Sequence, residues 1–162
     1  TATDTGVGLS FRHLYKPAFM VGGDFFDVTR LTDNVAGIFV ADVIGHGARS
    51  ALVTAILRTL LQDLSEQSCE PGQFLSAMNA HFHGLIPRHQ ECIFATACYL
   101  VVNTHDKTLS YASAGHPSPL LIDRTTQDVT TLVRANNNGA RRHASSSQNS
   151  SSSGLISEMS RW

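Results

Sequence analysis

The chain has 162 residues, 42% of them hydrophobic, which suits one domain with a sizeable core and is too short for two ordinary ones. Twelve Lys and Arg against thirteen Asp and Glu give a formal charge of -1, so the global balance shows neither a nucleic-acid footprint nor an acidic disordered tail.

In chain order, Val7 to Tyr15 carries apolar residues at roughly alternate places and reads as a strand, with Pro17 and Gly22-Gly23 punctuating its end. Phe25 to Leu31 and Val35 to Val43 are separated by the turn-prone Thr32-Asp33-Asn34 and predict a β-hairpin with a buried second strand. From Ala48 to Leu64 the period becomes helical. Leu52, Ile56, Leu60 and Leu64 form one row, and Val53, Leu57 and Leu61 an adjacent one, so a broadly buried helix is expected. A second helix runs from Pro71 to about Leu85, with Pro71 in the first turn and Phe74, Met78 and Phe82 inward. Cys92 to Val102 is a long apolar strand, Leu109 to Ala112 follows a turn, and Leu120 to Ile122 and Val129 to Val133 complete a meander. Strands, two helices, then strands predict an α+β sandwich.

Composition changes after Val133, where seven of the nine residues from Ser145 to Ser153 are serine. So few apolar groups cannot offset the entropy of ordering the backbone, and residues 134–162 are expected to be linker or disorder. Cys69, Cys92 and Cys98 show neither CxxC spacing nor scaffold density, which fits reduced thiols in a cytoplasmic protein. No stretch approaches the ~18 to 20 apolar residues of a membrane-spanning helix, and TATDTG does not resemble a secretion signal. The polar start without methionine reads as that of a fragment.

Two acidic positions stand out. Asp24 follows Gly22-Gly23, where absent side chains permit a tight turn and close approach of a ligand, and Asp42 ends an apolar strand just before IGHGA. A lone Asp at a strand end is commonly a turn former. A pair bracketing one hairpin can instead be neighbours in space and supply oxygens to hard divalent ions such as Mg2+ or Mn2+. Two carboxylates are too few for a complete two-metal cage. Gly45-His46-Gly47 opens the first long helix, where backbone N–H groups can face an anion. His46 reads either as a solvated loop residue or as a general acid or metal-water contact.

Together, VGGDFFDV, the spacing from Asp24 to Asp42, ADVIGHGARSAL, the two-helix insert with LSAMNAHF, CIFATACYLVV and YASAGHPSPLLI resemble the SpoIIE/RsbU-like class of PPM-type protein phosphatases over Leu9 to Leu132. The resemblance implies a PPM-phosphatase-like sandwich of antiparallel β-sheets flanked by helices, holding two Mn2+ or Mg2+ ions at one edge. It places metal-ligating roles on Asp24, Asp42 and the backbone carbonyl of Val43. Asp27, His46 and the glycines Gly22, Gly23, Gly45 and Gly47 match motif positions, as does His116, for which a structural hairpin role is expected over a catalytic one. The implied substrate is a phosphorylated regulatory partner protein, with a sensor or receiver domain upstream in the parent protein.

The chain departs from that family after Val133, where no GD-plus-TDG element or final acidic ligand follows. Residues 1–133 are therefore expected to be an incomplete phosphatase domain. Two functions stay open: an enzyme hydrolysing phosphoserine or phosphothreonine with metal-activated water, or an inactive phosphatase-like module that binds partners. A nucleotide-binding domain is disfavoured because neither GxGxxG nor GxxxxGK(S/T) occurs. Oligomeric state stays open, a homodimer included.

Overall fold

A computed structural model of the chain describes residues 2–4, 6–16, 22–64, 69–86, 93–133 and 141–143. The elements run β1 (Ala2–Asp4), β2 (Ser10–Arg12), β3 (Asp24–Arg30), β4 (Val35–Val43), α1 (Ala48–Asp63), α2 (Pro71–Leu85), β5 (Ala95–Asn103), β6 (Thr108–Ala114), β7 (Leu120–Ile122), β8 (Val129–Thr131) and β9 (Arg141–His143). The main sheet has the order β3-β4-β5-β6-β9, and β1-β2 and β7-β8 are separate two-stranded sheets. All named strand pairs are antiparallel. The α+β expectation is met.

The β3–β4 hairpin closes where Leu31 and Thr32 both donate backbone N–H groups to the Val35 carbonyl, at 2.9 and 3.2 Å. Its register pairs Asp24 with Asp42, Asp27 with Phe39 and Thr29 with Gly37. Because side chains alternate along a strand, that register sorts the sheet into two faces. One face carries Phe39, Ala41 and Val43 of β4 with Ala95, Ala97, Tyr99 and Val101 of β5, all buried. Helices α1 and α2 cover it with Val53, Leu57, Leu60, Leu61, Phe74, Leu75, Met78 and Phe82. Phe74 and Tyr99 stack at 4.3 Å between ring centroids, each also within reach of Phe39. Gly37 makes room for Tyr99: a Cβ there would lie 2.9 Å from Tyr99 Cζ and would strike the hydroxyl.

The other face carries Asp24, Phe26 and Val28 of β3, Ile38, Val40 and Asp42 of β4, and Thr96, Cys98 and Leu100 of β5. The segment after β2 lies against it, with His13 and Tyr15 rings 4.7 and 6.4 Å from that of Phe26.

Three expectations need correction. The strand expected over Val7 to Tyr15 is confined to Ser10–Arg12, the residues that pair with Ala2–Asp4 of β1. Leu52 is not part of the buried helix face: it is 68% exposed, since α1 turns Val53, Leu57, Leu60 and Leu61 to the sheet instead. The meander does not continue through β7 and β8. They form their own hairpin, and β9 takes the edge beside β6, pairing Thr108 with His143 and Ser110 with Arg141. The Tyr111 hydroxyl donates to the Val133 carbonyl at 2.6 Å and anchors that hairpin to the main sheet. The expected disorder of 134–162 otherwise lies outside the described residues, as does Cys92.

Candidate metal and phosphate site

Asp24 opens β3 and Asp42 stands next to the end of β4, and the register sets them directly opposite one another. The Val43 N–H donates to the Gly23 carbonyl at 3.1 Å, so the neighbouring pair Gly23/Val43 occupies a hydrogen-bonded position. Alternation then puts Asp24 and Asp42 in a non-hydrogen-bonded position, where Cα atoms approach to about 4.5 Å and side chains are closest. Both residues are exposed, and neither carboxylate has a hydrogen bond or ion pair among the described residues. Like charges directly opposite destabilise a strand pair. Such an arrangement fits a bound cation, which would turn repulsion into attraction for both strands.

Gly23 has a second role there. Its absent side chain lets the Val43 carbonyl approach, since a Cβ at residue 23 would run into that oxygen. Two carboxylates and a carbonyl form a hard oxygen donor set, which suits Mg2+ or Mn2+ rather than a soft metal. Among the described residues no group of three or more His, Cys, Asp or Glu side chains is placed to hold a metal ion.

The remaining motif residues divide between the two faces and the adjoining loop. Asp27 lies on the helix-covered face, half-buried, and accepts a hydrogen bond from the Thr29 hydroxyl at 2.8 Å, so it does not join Asp24 and Asp42. Gly22 precedes β3, with Gly23 between it and Asp24. His46 is exposed on the turn between β4 and α1. Gly45 and Gly47 flank it at φ of 95° and 80°, a left-handed backbone that glycine adopts without strain. Gly47 caps α1, and the Ser50 hydroxyl donates back to its carbonyl at 2.9 Å.

His116 comes to the same sheet face by a different route. Thr96 of β5 pairs with Asp42, which makes Asp24, Asp42 and Thr96 a row across three strands. The His116 Nδ1 lies 2.9 Å from the Thr96 hydroxyl, and the Ser113 hydroxyl donates to the His116 carbonyl at 2.9 Å. Burial lowers the pKa of His116, while the charges of Asp42 and then Asp24 oppose that shift. Thr96 carries no motif signal of its own. Only its register against Asp42 marks it.

The antiparallel sheet with two helices on one face is the fold of PP2C phosphatase domains, which solved structures share with this chain. The chain belongs to the SpoIIE family, described as Stage II sporulation protein E, which it matches over residues 32–138. It is 31% identical over 110 residues to the phosphoserine phosphatase RsbP of Bacillus subtilis, a match covering 67% of this chain and 27% of RsbP. The crystal structure of the RsbU and RsbW domains of a Mycobacterium tuberculosis protein matches 72% of this chain and 31% of its own, with TM-score 0.59 and 28% identity. The SiaA-PP2C domain of Pseudomonas aeruginosa shares the fold, with TM-score 0.67 and 23% identity over 80% of this chain and 53% of its own. The matched regions span between 21% and 29% of the curated relatives' own length. Among the described residues no helix is long and apolar enough to cross a membrane.

Proposed function

We propose that this chain is the phosphatase domain of a cytoplasmic bacterial signalling protein, hydrolysing phosphoserine or phosphothreonine on a regulatory partner protein. The observation carrying this reading is that Asp24 and Asp42 face each other across the hairpin beside the Val43 carbonyl. Asp24, Asp42 and Val43 would hold Mn2+ or Mg2+, two ions in a complete site. When bound, such ions neutralise phosphoryl charge and acidify a water for attack on phosphorus. The sheet residues hold the oxygens at fixed spacing, because β4 is hydrogen-bonded to strands on both sides. His46, flanked by Gly45 and Gly47 in the left-handed region, would give a proton to the leaving seryl or threonyl oxygen in this reading. Residues 1–133 form the domain in this reading, and a sensor or receiver domain precedes it in the parent protein.

The test is Mn2+-dependent hydrolysis of an aryl phosphate. Asp24→Ala and Asp42→Ala should each lower the rate at least about a hundredfold, since the ions supply several kcal/mol of charge stabilisation. Equal rates in the variants and the parent chain would end the assignment. The missing third side-chain ligand among the described residues favours one second reading, an inactive phosphatase-like module that binds a regulatory partner. Retained binding of a phosphorylated partner without turnover at any Mn2+ concentration would establish that reading.

A further inference from the structure

We propose that His116 contacts an oxygen of the substrate phosphate through Nε2, with Thr96 as the positioning residue that holds its ring. This deepens the phosphatase reading and rests on it.

The main sheet carries the argument. Asp24, Asp42 and Thr96 are successive register partners, so their side chains leave the same face in one row. At the next place in that row the chain is no longer in β6. Gly115 takes φ 69°, a left-handed conformation that turns the backbone and lets His116 come back over Thr96. The row therefore ends in an imidazole where a regular strand would have placed the Gly115 position itself.

The ring's two nitrogens are in different situations. Nδ1 is engaged by the Thr96 hydroxyl at 2.9 Å, whereas Nε2 has no hydrogen-bond partner among the described residues. The ring is half-buried and lies within electrostatic reach of Asp42 and Asp24. A partly buried polar atom without a partner among the described residues, beside two exposed carboxylates, marks a place where a ligand completes the hydrogen bonding. With cations neutralising Asp24 and Asp42, the species such a site attracts is an oxyanion, and an imidazole N–H is a suitable donor to it.

The hairpin does not need this side chain. Its own contact is the Ser113 hydroxyl donating to the His116 carbonyl, which any residue at 116 can accept. A purely structural histidine would act through Nδ1 and Thr96, and a site histidine acts through Nε2. Two amides separate these cases: glutamine places its nitrogen near the position of Nε2, asparagine near that of Nδ1.

The experiment measures, on the full chain, Mg2+ affinity and then inorganic phosphate affinity at saturating Mg2+ by calorimetry, for wild type, His116→Gln, His116→Asn, Thr96→Val and Thr96→Ser. Phosphate affinity should fall about tenfold or more in His116→Asn and in Thr96→Val, the loss expected for one hydrogen bond to a charged oxygen. His116→Gln and Thr96→Ser should stay within about threefold of wild type on the same scale, with Mg2+ affinity unchanged throughout. Phosphate binding by His116→Asn as tight as wild type, or tighter than by His116→Gln, overturns the proposal, as does a Mg2+-loaded wild type that binds no phosphate. A wild-type chain that fails to bind Mg2+ instead removes the phosphatase reading, and this inference with it.

Discussion

Replacing Asp24 by Asn should change the sign of its effect on stability with the metal content of the buffer. In a non-hydrogen-bonded pair the Cβ atoms lie about 4.5 to 5.5 Å apart, and two unit charges at about 5 Å in water repel by about 0.8 kcal/mol. Both residues are exposed, so physiological salt screens part of this and leaves about 0.5 kcal/mol. Without divalent ions, Asp24→Asn is therefore expected to stabilise the fold by about 0.5 kcal/mol. With Mn2+ at a hundred times its dissociation constant, the wild-type chain gains about 2.7 kcal/mol that the variant loses in large part. The net expectation is stabilisation in EDTA and destabilisation of about 2 kcal/mol in Mn2+. Paired urea melts in the two buffers read both numbers without any catalytic assay. A wild-type midpoint indifferent to Mn2+, or a variant equally destabilised in both buffers, would refute the argument that these carboxylates share a cation.

Gly37→Ala puts a methyl into the Tyr99 ring and hydroxyl, where Phe74 and Phe39 block retreat; thermal melts should show about 1 to 3 kcal/mol of destabilisation. Leu57→Ala opens a cavity at a residue 1% exposed and should cost about 2 to 5 kcal/mol, whereas Leu52→Ala, at a residue 68% exposed, should stay within about 0.5 kcal/mol of wild type. Equal losses at the two positions would mean that α1 presents a different face. Burial pushes the Cys98 thiol from 9.0 up to about 11, so the unfolded chain gives up its proton first as pH rises. The stability contributed by the neutral thiol is thus complete below pH 9.0 and lost toward about 11, a decline that Cys98→Ala should remove from alkaline melts. Native-state alkylation near neutral pH should modify exposed Cys69 and spare Cys98.

Where local periodicity is strong, the sequence reading and the structure coincide. The β3–β4 hairpin follows from two apolar runs around Thr32-Asp33-Asn34, and α2 from Pro71 with its stripe of Phe74, Met78 and Phe82. Such features depend on neighbours within a few residues, so composition and spacing carry them. Leu52 shows the limit: a helix wheel with two apolar rows does not say how far along each row the core extends, and Leu60 and Leu64 of its row are buried while Leu52 is not. The β7–β8 pair shows another, since apolar residues in short strands do not encode which partner strand they choose.

The candidate site divides in the same way. Glycines before Asp24 and after Asp42 mark both carboxylates in the sequence alone, because tight turns and close backbone approach need residues without side chains. Their facing each other across the hairpin, the placement of Asp27 on the opposite face, and the return of His116 to Thr96 were decided by tertiary structure. The cause is the period of two along a strand: a shift of one residue in pairing exchanges the faces, and pairing is settled between strands distant in sequence. Residue type selects which atoms can hold a cation or a phosphate, and strand register determines which of them meet.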